Sequence, residues 1–275
     1  MESPRVYPPI PELRAYIKNF VMWDLDFTNK DPFKLMAVPM GVPIMVFPYS
    51  GCLHINAGKI HGGEQIRPIL FGQITRSVEI RLSGAGGLLL VIFSPAGIFH
   101  FLEHSLRGIT DRYNYYLEQI NWVGKDILPA LRSNNPLSDI SAKARLENVF
   151  LRRLNQSHDR DESTMRIVDW INLKKGKVSA NEVSSQFNLS LRSLERRFLM
   201  HVGIGPKYYA NIVRFRHILR YKKDHPDANL LDLSEIGGFV DQSHFIKNFK
   251  KITGESPEAF FSHNLDVINH TLEFT

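Results

Sequence analysis

Residues 190–206 read SLRSLERRFLMHVGIGP, and residues 241–257 read DQSHFIKNFKKITGESP. At an offset of 51 positions, Leu194 recurs as Phe245, Phe198 as Phe249, Gly203 as Gly254 and Pro206 as Pro257, and Ser190 recurs as Asp241. A repeat of this kind marks one structural unit used twice. Each copy has a capping residue, two apolar residues four apart, a glycine and a proline. Ser190 and Asp241 suit N-caps, because a side-chain oxygen there accepts from amides that have no partner inside the helix. Gly203 and Gly254 suit the left-handed residue after a helix end. Pro206 and Pro257 suit the first turn of the next helix, where an N–H is not needed.

Each repeated helix is preceded by a shorter one. Ala180 to Phe187 leads through Asn188 and Leu189 into the first, and Leu231 to Gly237 leads through Gly238, Phe239 and Val240 into the second. Helix, tight turn, helix is the helix-turn-helix layout. Between the two units, Pro206 to His225 reads as one long connecting helix with Tyr208, Ile212, Phe215 and Leu219 on one face. The major groove of DNA admits one α-helix, whose first turns meet the base edges while the preceding helix crosses the backbone. Two such readers on one rigid chain can address successive major grooves about 34 Å apart.

The charge is placed to match. The 275-residue chain carries 34 Lys and Arg against 28 Asp and Glu, net +6. Between Thr164 and Lys251 stand 16 basic and 8 acidic residues, net +8, which leaves −2 for the remainder. A basic module joined to a nearly neutral one is the expected footprint of nucleic-acid binding, although a solvated Lys/Arg surface would look the same by charge alone.

The segment from Val178 to Phe261 resembles the DNA-binding domain of the AraC/XylS transcription regulators. The resemblance rests on Leu189, Ser190, Leu194, Phe198, Gly203, Pro206, Tyr209 and Arg214. It continues through Ile236, Gly237, Gly238, Phe239, Asp241, Gln242, Ser243, Phe245, Phe249, Lys250, Thr253, Gly254, Ser256 and Pro257. It implies two helix-turn-helix units, at about 180–202 and 231–253, and regulation of transcription, with promoter DNA and RNA polymerase as partners. Carried over position by position, the base-facing residues are Arg192, Ser193, Glu195 and Arg196 in the first reader and Gln242, Ser243, His244 and Lys247 in the second. Arg196 and Lys247 can donate to guanine, Gln242 can pair with adenine, and Glu195 can accept from cytosine or else pair with a neighbouring arginine. Arg197, Lys250 and Lys251 are expected to serve phosphate attraction. Ser184 and Ser234 depart from the family's usual alanine, and Gly205 stands where serine is commoner; either serine can bond back to its own helix.

The first 110 residues read differently, as short apolar runs punctuated by glycine and proline. Phe33 to Met40, Pro43 to Pro48, Ile69 to Gly72, Val78 to Leu82 and Leu88 to Phe93 are expected strands, with a helix over Pro11 to Val21 ahead of them and a turn at Gly84 to Gly87. The stretch from Leu82 to Leu102 has no charged residue. Its glycines and Pro95 argue for a strand, a turn at 94–97 and a buried helix start, and against a membrane span. From Asn114 to Leu154 the pattern turns helical, and Asn155 to Ser163, without an apolar residue, reads as a linker. The expected fold is α+β: an N-terminal β-rich, cupin-like or related sensor domain with helices over 1–155, a linker at 156–163, and an all-α double helix-turn-helix domain over 164–275.

His100, Glu103 and His104 match H-x-x-E-H, an inverted zinc-hydrolase motif, which on a helix would put both histidines on one face. That motif motivates the alternative of a metal-dependent or small-molecule-processing enzyme fused to a DNA-binding tail. Its apolar neighbours Ile98, Phe99, Phe101 and Leu102 favour a packing helix. Cys52 is the one cysteine, expected buried and inert, so neither a disulfide nor a cysteine zinc site is available. Trp23, Met36, Met45, Phe47, Phe71 and Phe93 are expected in the core. No catalytic residue, metal or cofactor is expected. With a single cysteine and no apolar signal-peptide core, the expected location is the cytoplasm, on DNA and off the membrane. A small-molecule effector is expected in the N-terminal domain. A homodimer is expected through the 114–154 helices, with Ile140, Ala144, Leu151 and Leu154 as the partner-facing strip; the alternative is that this strip only packs on its own β domain.

Overall fold

The computed structural model describes residues 3–57, 60–102, 104–113, 115–117, 120–131, 139–157, 162–263 and 272. Its N-terminal half is one antiparallel sheet of strands β1 (Arg5–Tyr7), β2 (Ile17–Phe27), β3 (Phe33–Ala37), β4 (Ile44–Ala57), β5 (Ile60–Gln65), β6 (Ile69–Phe71), β7 (Val78–Phe93) and β8 (Tyr115–Tyr116). The order is β1-β2-β7-β4-β6-β8, with β3 also on β7 and β5 also on β4. Helices α1 (Leu128–Leu131) and α2 (Asp139–Gln156) follow.

Side-chain alternation explains why the central strands are apolar throughout. On one face Phe20, Met22, Met45, Phe47, Leu89, Val91 and Phe93 join Ala142, Leu146, Val149 and Phe150 of α2 in a single core. The opposite face carries Trp23, Val46 and Leu88 in a second cluster, and Val21 and Ile92 in a third that belongs to the C-terminal half. A strand covered on both faces loses its polar alternation. The charge-free run therefore marks a doubly covered strand followed by a turn, with Gly97 N–H donating to Ser94 O at 2.9 Å, and a buried 3-10 turn over Gly97–His100.

Three expectations for this half are corrected. Only Pro11–Leu13 is helical, as one 3-10 turn; Ile17–Phe27 is an 11-residue strand paired with β7. Apolar residues at 17, 20, 21, 23 and 25 fit either period, and pairing with β7 decides it. Gly84 to Gly87 is not a turn between strands but the middle of β7, bonded to Ser50–Leu53 of β4 and to Asp24–Phe27 of β2. Glycine is needed there because the Tyr49 ring occupies the place of a Gly87 Cβ, and Gly84 has φ +84°. Tyr115–Tyr116, expected helical, pairs with β6 at the sheet edge. Of the stretch expected to be helical, residues 114, 118–119 and 132–138 lie outside the described residues.

The C-terminal half is all helix: α3 (Ser163–Leu173), α4 (Ala180–Gln186), α5 (Leu191–His201), α6 (Pro206–Asp224), α7 (Leu230–Ile236), α8 (Gln242–Thr253) and α9 (Pro257–His263). The first unit packs Leu194, Phe198, Val183 and Ile171 around Tyr209, and the second packs Phe245, Phe249, Phe260 and Leu233 around Phe215. Both centres belong to α6, which is buried on most of its circumference. One helix thus sets the angle between the two units. The expected α+β architecture is the one observed.

Candidate nucleic-acid interface

The two helix-turn-helix units are built by the same local devices. Ser179 and Asn229 head α4 and α7, each in a capping box closed by Glu182 or Asp232. Each short helix then ends on a left-handed residue, Asn188 at φ 50° or Gly238 at φ 64°. The following amide returns to the helix in both: Leu189 N–H to Ser184 O, and Phe239 N–H to Ser234 O, each at 3.0 Å. The Ser184 hydroxyl also donates to the Leu189 carbonyl, so this departure from the family's alanine staples the turn and does not bond back into its own helix. Ser234 is buried.

Up to this point the units correspond at an offset of 50 positions; beyond it the offset is 51. The extra residue is Val240, whose side chain is 91% exposed. The change of offset was visible in the sequence, but Val240 was not singled out there.

The reader helices begin as the repeat indicated. Ser190 accepts from Ser193 N–H at 3.1 Å, and Asp241 accepts from His244 N–H at 2.7 Å. Gly203 and Gly254 take φ +94° and +87° after the helix ends, and Pro206 and Pro257 open the next helices.

The expected base-facing residues fall in two groups. Arg192, Arg196, Gln242, Ser243, His244 and Lys247 are exposed along the first turns of α5 and α8. Ser193 is half-buried, and its hydroxyl lies 3.0 Å from that of Ser190, inside the cap. Glu195 is exposed, but its carboxylate rests on Gly205, where a Cβ would collide with it. Gly205 is the N-cap of α6 and has no side chain to offer. A carboxylate beside that end is favoured by the helix dipole, which accounts for glycine where serine is commoner. His244 packs edge-on against Phe239, with ring centroids 5.3 Å apart.

Of the residues expected to attract phosphate, Lys250 and Lys251 are exposed on the last turn of α8. Arg197 is turned inward and donates to the Ser163 hydroxyl at the start of α3. Arg214 on α6 lies 5.0 Å above the Phe239 ring of the second turn and donates to Gly176 O at 3.4 Å, tying the second unit to the end of α3. Burial lowers its pKa below the ordinary arginine value.

The N-terminal half grips this module at several points besides the connection through 158–161, which lies outside the described residues. Phe99 stacks on His201, Thr110 Oγ1 donates to Gly203 O at 2.7 Å, and Ser77 N–H donates to Ile252 O at 2.9 Å. Tyr208 donates its hydroxyl to Thr75 O, and the buried Arg216 donates to Met40 O at 3.1 Å and to Asn172 Oδ1 at 2.6 Å. Beside this junction Tyr209, hydrogen-bonded to Asn172, has its pKa pushed up by burial to about 12.

The two histidines of the hydrolase motif are placed differently. His100 is buried in a 3-10 turn, edge-on to Tyr16 at 5.0 Å, whereas His104 is exposed beyond that turn and lies 3.1 Å from Tyr115 Oη. Glu103 lies outside the described residues. The 3-10 turn ends at His100, so the two histidines are not presented by one helix among the described residues. Among the described residues no group of three His, Cys, Asp or Glu is placed to hold a metal ion. Cys52, expected buried, is exposed on β4, with Sγ 3.5 Å from His54 Nε2, because Leu53 and Ile55 take the inward positions of that strand. Among the described residues no helix is long and apolar enough to cross a membrane.

Comparison with known proteins gives each half its own match. Residues 183–263 match a helix-turn-helix domain family, and residues 5–114 match a domain of unknown function, DUF6597. The transcriptional activator RhaS of Escherichia fergusonii is 29% identical over 146 residues, covering 48% of this chain and 51% of the relative. RhaS of Klebsiella pneumoniae is 39% identical over 79 residues, covering 28% and 27%. The chain thus spans about half or less of the length of these curated relatives. Among solved structures, ToxT from Vibrio cholerae aligns over 95% of this chain and 98% of its own, at 10% identity and a TM-score of 0.46. With their repeated, capped reader helices and these matches, residues 183–263 form a helix-turn-helix domain of the AraC type.

Proposed function

We propose that the chain is a sequence-specific transcription regulator, an activator at its promoters, which places α5 and α8 in successive major grooves. The observation that carries this reading is the pair of reader helices, equivalently capped, with exposed polar first turns, inside a segment, Thr164 to Lys251, of net charge +8. Arg192, Arg196, Gln242, Ser243, His244 and Lys247 are its base-facing set. Ser193 and Glu195 reach DNA only by leaving the cap and the α6 terminus. Val240 joins the set as an apolar contact to a thymine methyl or sugar. Lys250 and Lys251 neutralise phosphates.

Residues 1–155 form the sensing and dimerisation domain, 156–163 the linker and 164–275 the DNA-binding domain. The sensing domain takes a small-molecule effector, and the protein works in the cytoplasm on promoter DNA with RNA polymerase. Ile140, 73% exposed, and the exposed Ala144 support a homodimer contact on α2, whereas Leu151 and Leu154 pack partly on their own core. A gel shift with duplexes selected from a random pool tests the reading. Retention of one motif supports it, and no enrichment over the starting pool sinks it. Sedimentation of the full chain and of Ile140→Glu tests the dimer, since a monomeric wild type at micromolar concentration rules it out.

A further inference from the structure

The outward face of the sheet does not close on itself. Strands β2, β3, β4, β6 and β7 and the segments 38–42 and 72–74 surround a cavity of about 190 Å³. A cavity of roughly 150 Å³ lined by apolar side chains is enough to stay dry and take up benzene. None of the 21 described residues lining this one is charged, and Trp23, Ile44, Phe71 and Leu90 are typical of them. Among the described lining residues, the side-chain groups able to hydrogen-bond are the Trp23 indole and the Tyr113 hydroxyl. A carboxylate, phosphate or ammonium bound here would lose its water and gain no counter-charge, which is costly.

Two walls of the cavity are also the surfaces that hold the DNA-binding unit. Val38, Met40 and Val42 line it and pack in one cluster with Phe215, Ile218, Leu219 and Phe245 of α6 and α8. The Met40 carbonyl takes the Arg216 hydrogen bond, and Gly41 lies so close under Tyr209 and Ile212 that a Cβ would meet them at 3.1 and 3.2 Å. On the second wall the chain alternates. Ile74 and Val78 line the cavity, while Thr75 O receives the Tyr208 hydroxyl and Ser77 N–H donates to Ile252 O at the end of the second reader. A side chain displaced by an occupant moves Met40, whose backbone is bonded to α6, or Ile74 and Val78, whose neighbours Thr75 and Ser77 are bonded to α6 and α8.

Resting on the regulator reading above, we infer that the effector is an uncharged, apolar small molecule of one or two rings, held in this cavity, and that it acts through segments 38–42 and 72–78 on the DNA-binding unit. An effector can shift DNA affinity only by a difference in its binding to the DNA-competent and incompetent states, and these two segments are where that difference arises.

The test uses the full chain with naphthalene and the anionic 2-naphthoate, two probes of similar shape. Equilibrium dialysis is expected to show saturable naphthalene binding, with naphthoate at least roughly tenfold weaker because its charge is buried without a partner. Ala37→Phe and the milder Ala37→Leu, which fill the cavity from β3, should lower naphthalene binding in proportion to the volume added; one folded variant suffices. Naphthalene should change affinity for the selected duplex by about fivefold or more, and Tyr208→Phe or Arg216→Met should shrink that change without abolishing naphthalene binding. Equal binding of the two probes, or naphthalene binding unaffected by filling the cavity, overturns the inference. So does a naphthalene complex with unchanged DNA affinity. If the chain binds no DNA at all, the regulator reading fails, and dialysis still decides the cavity's chemistry.

Discussion

The ring of Phe99 stacks on the ring of His201, with centroids 4.0 Å apart and planes 13° from parallel. Phe99 belongs to the 3-10 turn after β7, and His201 is the last residue of the first reader helix. His201 Nδ1 also lies 3.0 Å from the buried Thr164 hydroxyl on α3. The reader's end is therefore held from both halves of the chain. The apolar residues around the apparent hydrolase motif make this joint. Phe99→Ala is expected to destabilise the full chain by about 3–5 kcal/mol, as large-to-small changes at buried aromatics do. Urea unfolding measures it, and a loss below about 1 kcal/mol would mean that the two halves do not rely on this stack.

The caps give a second prediction. Ser190→Ala and Asp241→Ala should each cost about 1 kcal/mol of stability, because each leaves a first-turn amide without its partner. Asp241→Asn should recover most of the loss, since asparagine caps equally well. Thermal unfolding of the three variants checks this, and an Asn variant as weak as the Ala one would argue that the carboxylate's charge, and not the cap, is what matters.

Base and phosphate contacts should separate by salt. Arg196→Ala and Lys247→Ala are expected to cost about 1–3 kcal/mol on the selected duplex and to relax its sequence preference. Lys250→Ala and Lys251→Ala should weaken selected and random duplexes alike, each reducing the slope of log affinity against log salt by about 1. Arg197→Ala should act mainly on stability, because its guanidinium is bound to Ser163. Fluorescence anisotropy at several salt concentrations distinguishes the three behaviours.

His217 on α6 sets a pH dependence. Burial, and then the positive charges of Lys175, Lys177 and Arg220, lower its pKa below the ordinary 6.5. The unfolded chain therefore takes up a proton near pH 6.5 that the folded chain resists. This contribution to stability is full above that pH, falls as the pH drops through it, and levels off once the folded protein is protonated too. Comparing wild type with His217→Gln between pH 7.5 and 5 should show a shallower loss in the variant; parallel curves would remove His217 from the account.

How legible each half was follows from the range of its signals. In the C-terminal half the deciding residues act locally: Ser190 on Ser193, Asp241 on His244, and Gly254 at its own φ. Such contacts lie within a few positions, so a single sequence displays them. The N-terminal half is decided by partners far along the chain. Ile17 and Phe20 suit a helix as well as a strand until β7 pairs with them, and Gly87 looks like a turn until Tyr49 fills its space. The cavity was illegible for a further reason. Trp23 and Phe71 are apolar residues of a kind that ordinarily makes core, and nothing in their order records that the space between them stays open. The resting of Glu195 on Gly205 and the bond of Arg197 to Ser163 were likewise set by residues that no helical pattern connects to them.

Reading of DNA by two capped helices is decided by anisotropy titration of the full chain on the selected duplex against a scrambled one. Salt is stepped from 50 to 200 mM. Binding to the selected duplex is expected to be at least about a thousandfold tighter than to the scrambled one at the higher salt. The log–log salt slope is expected to be several units, set by the phosphates contacted. Equal affinity for the two duplexes, or affinity independent of salt, would contradict this mode of reading.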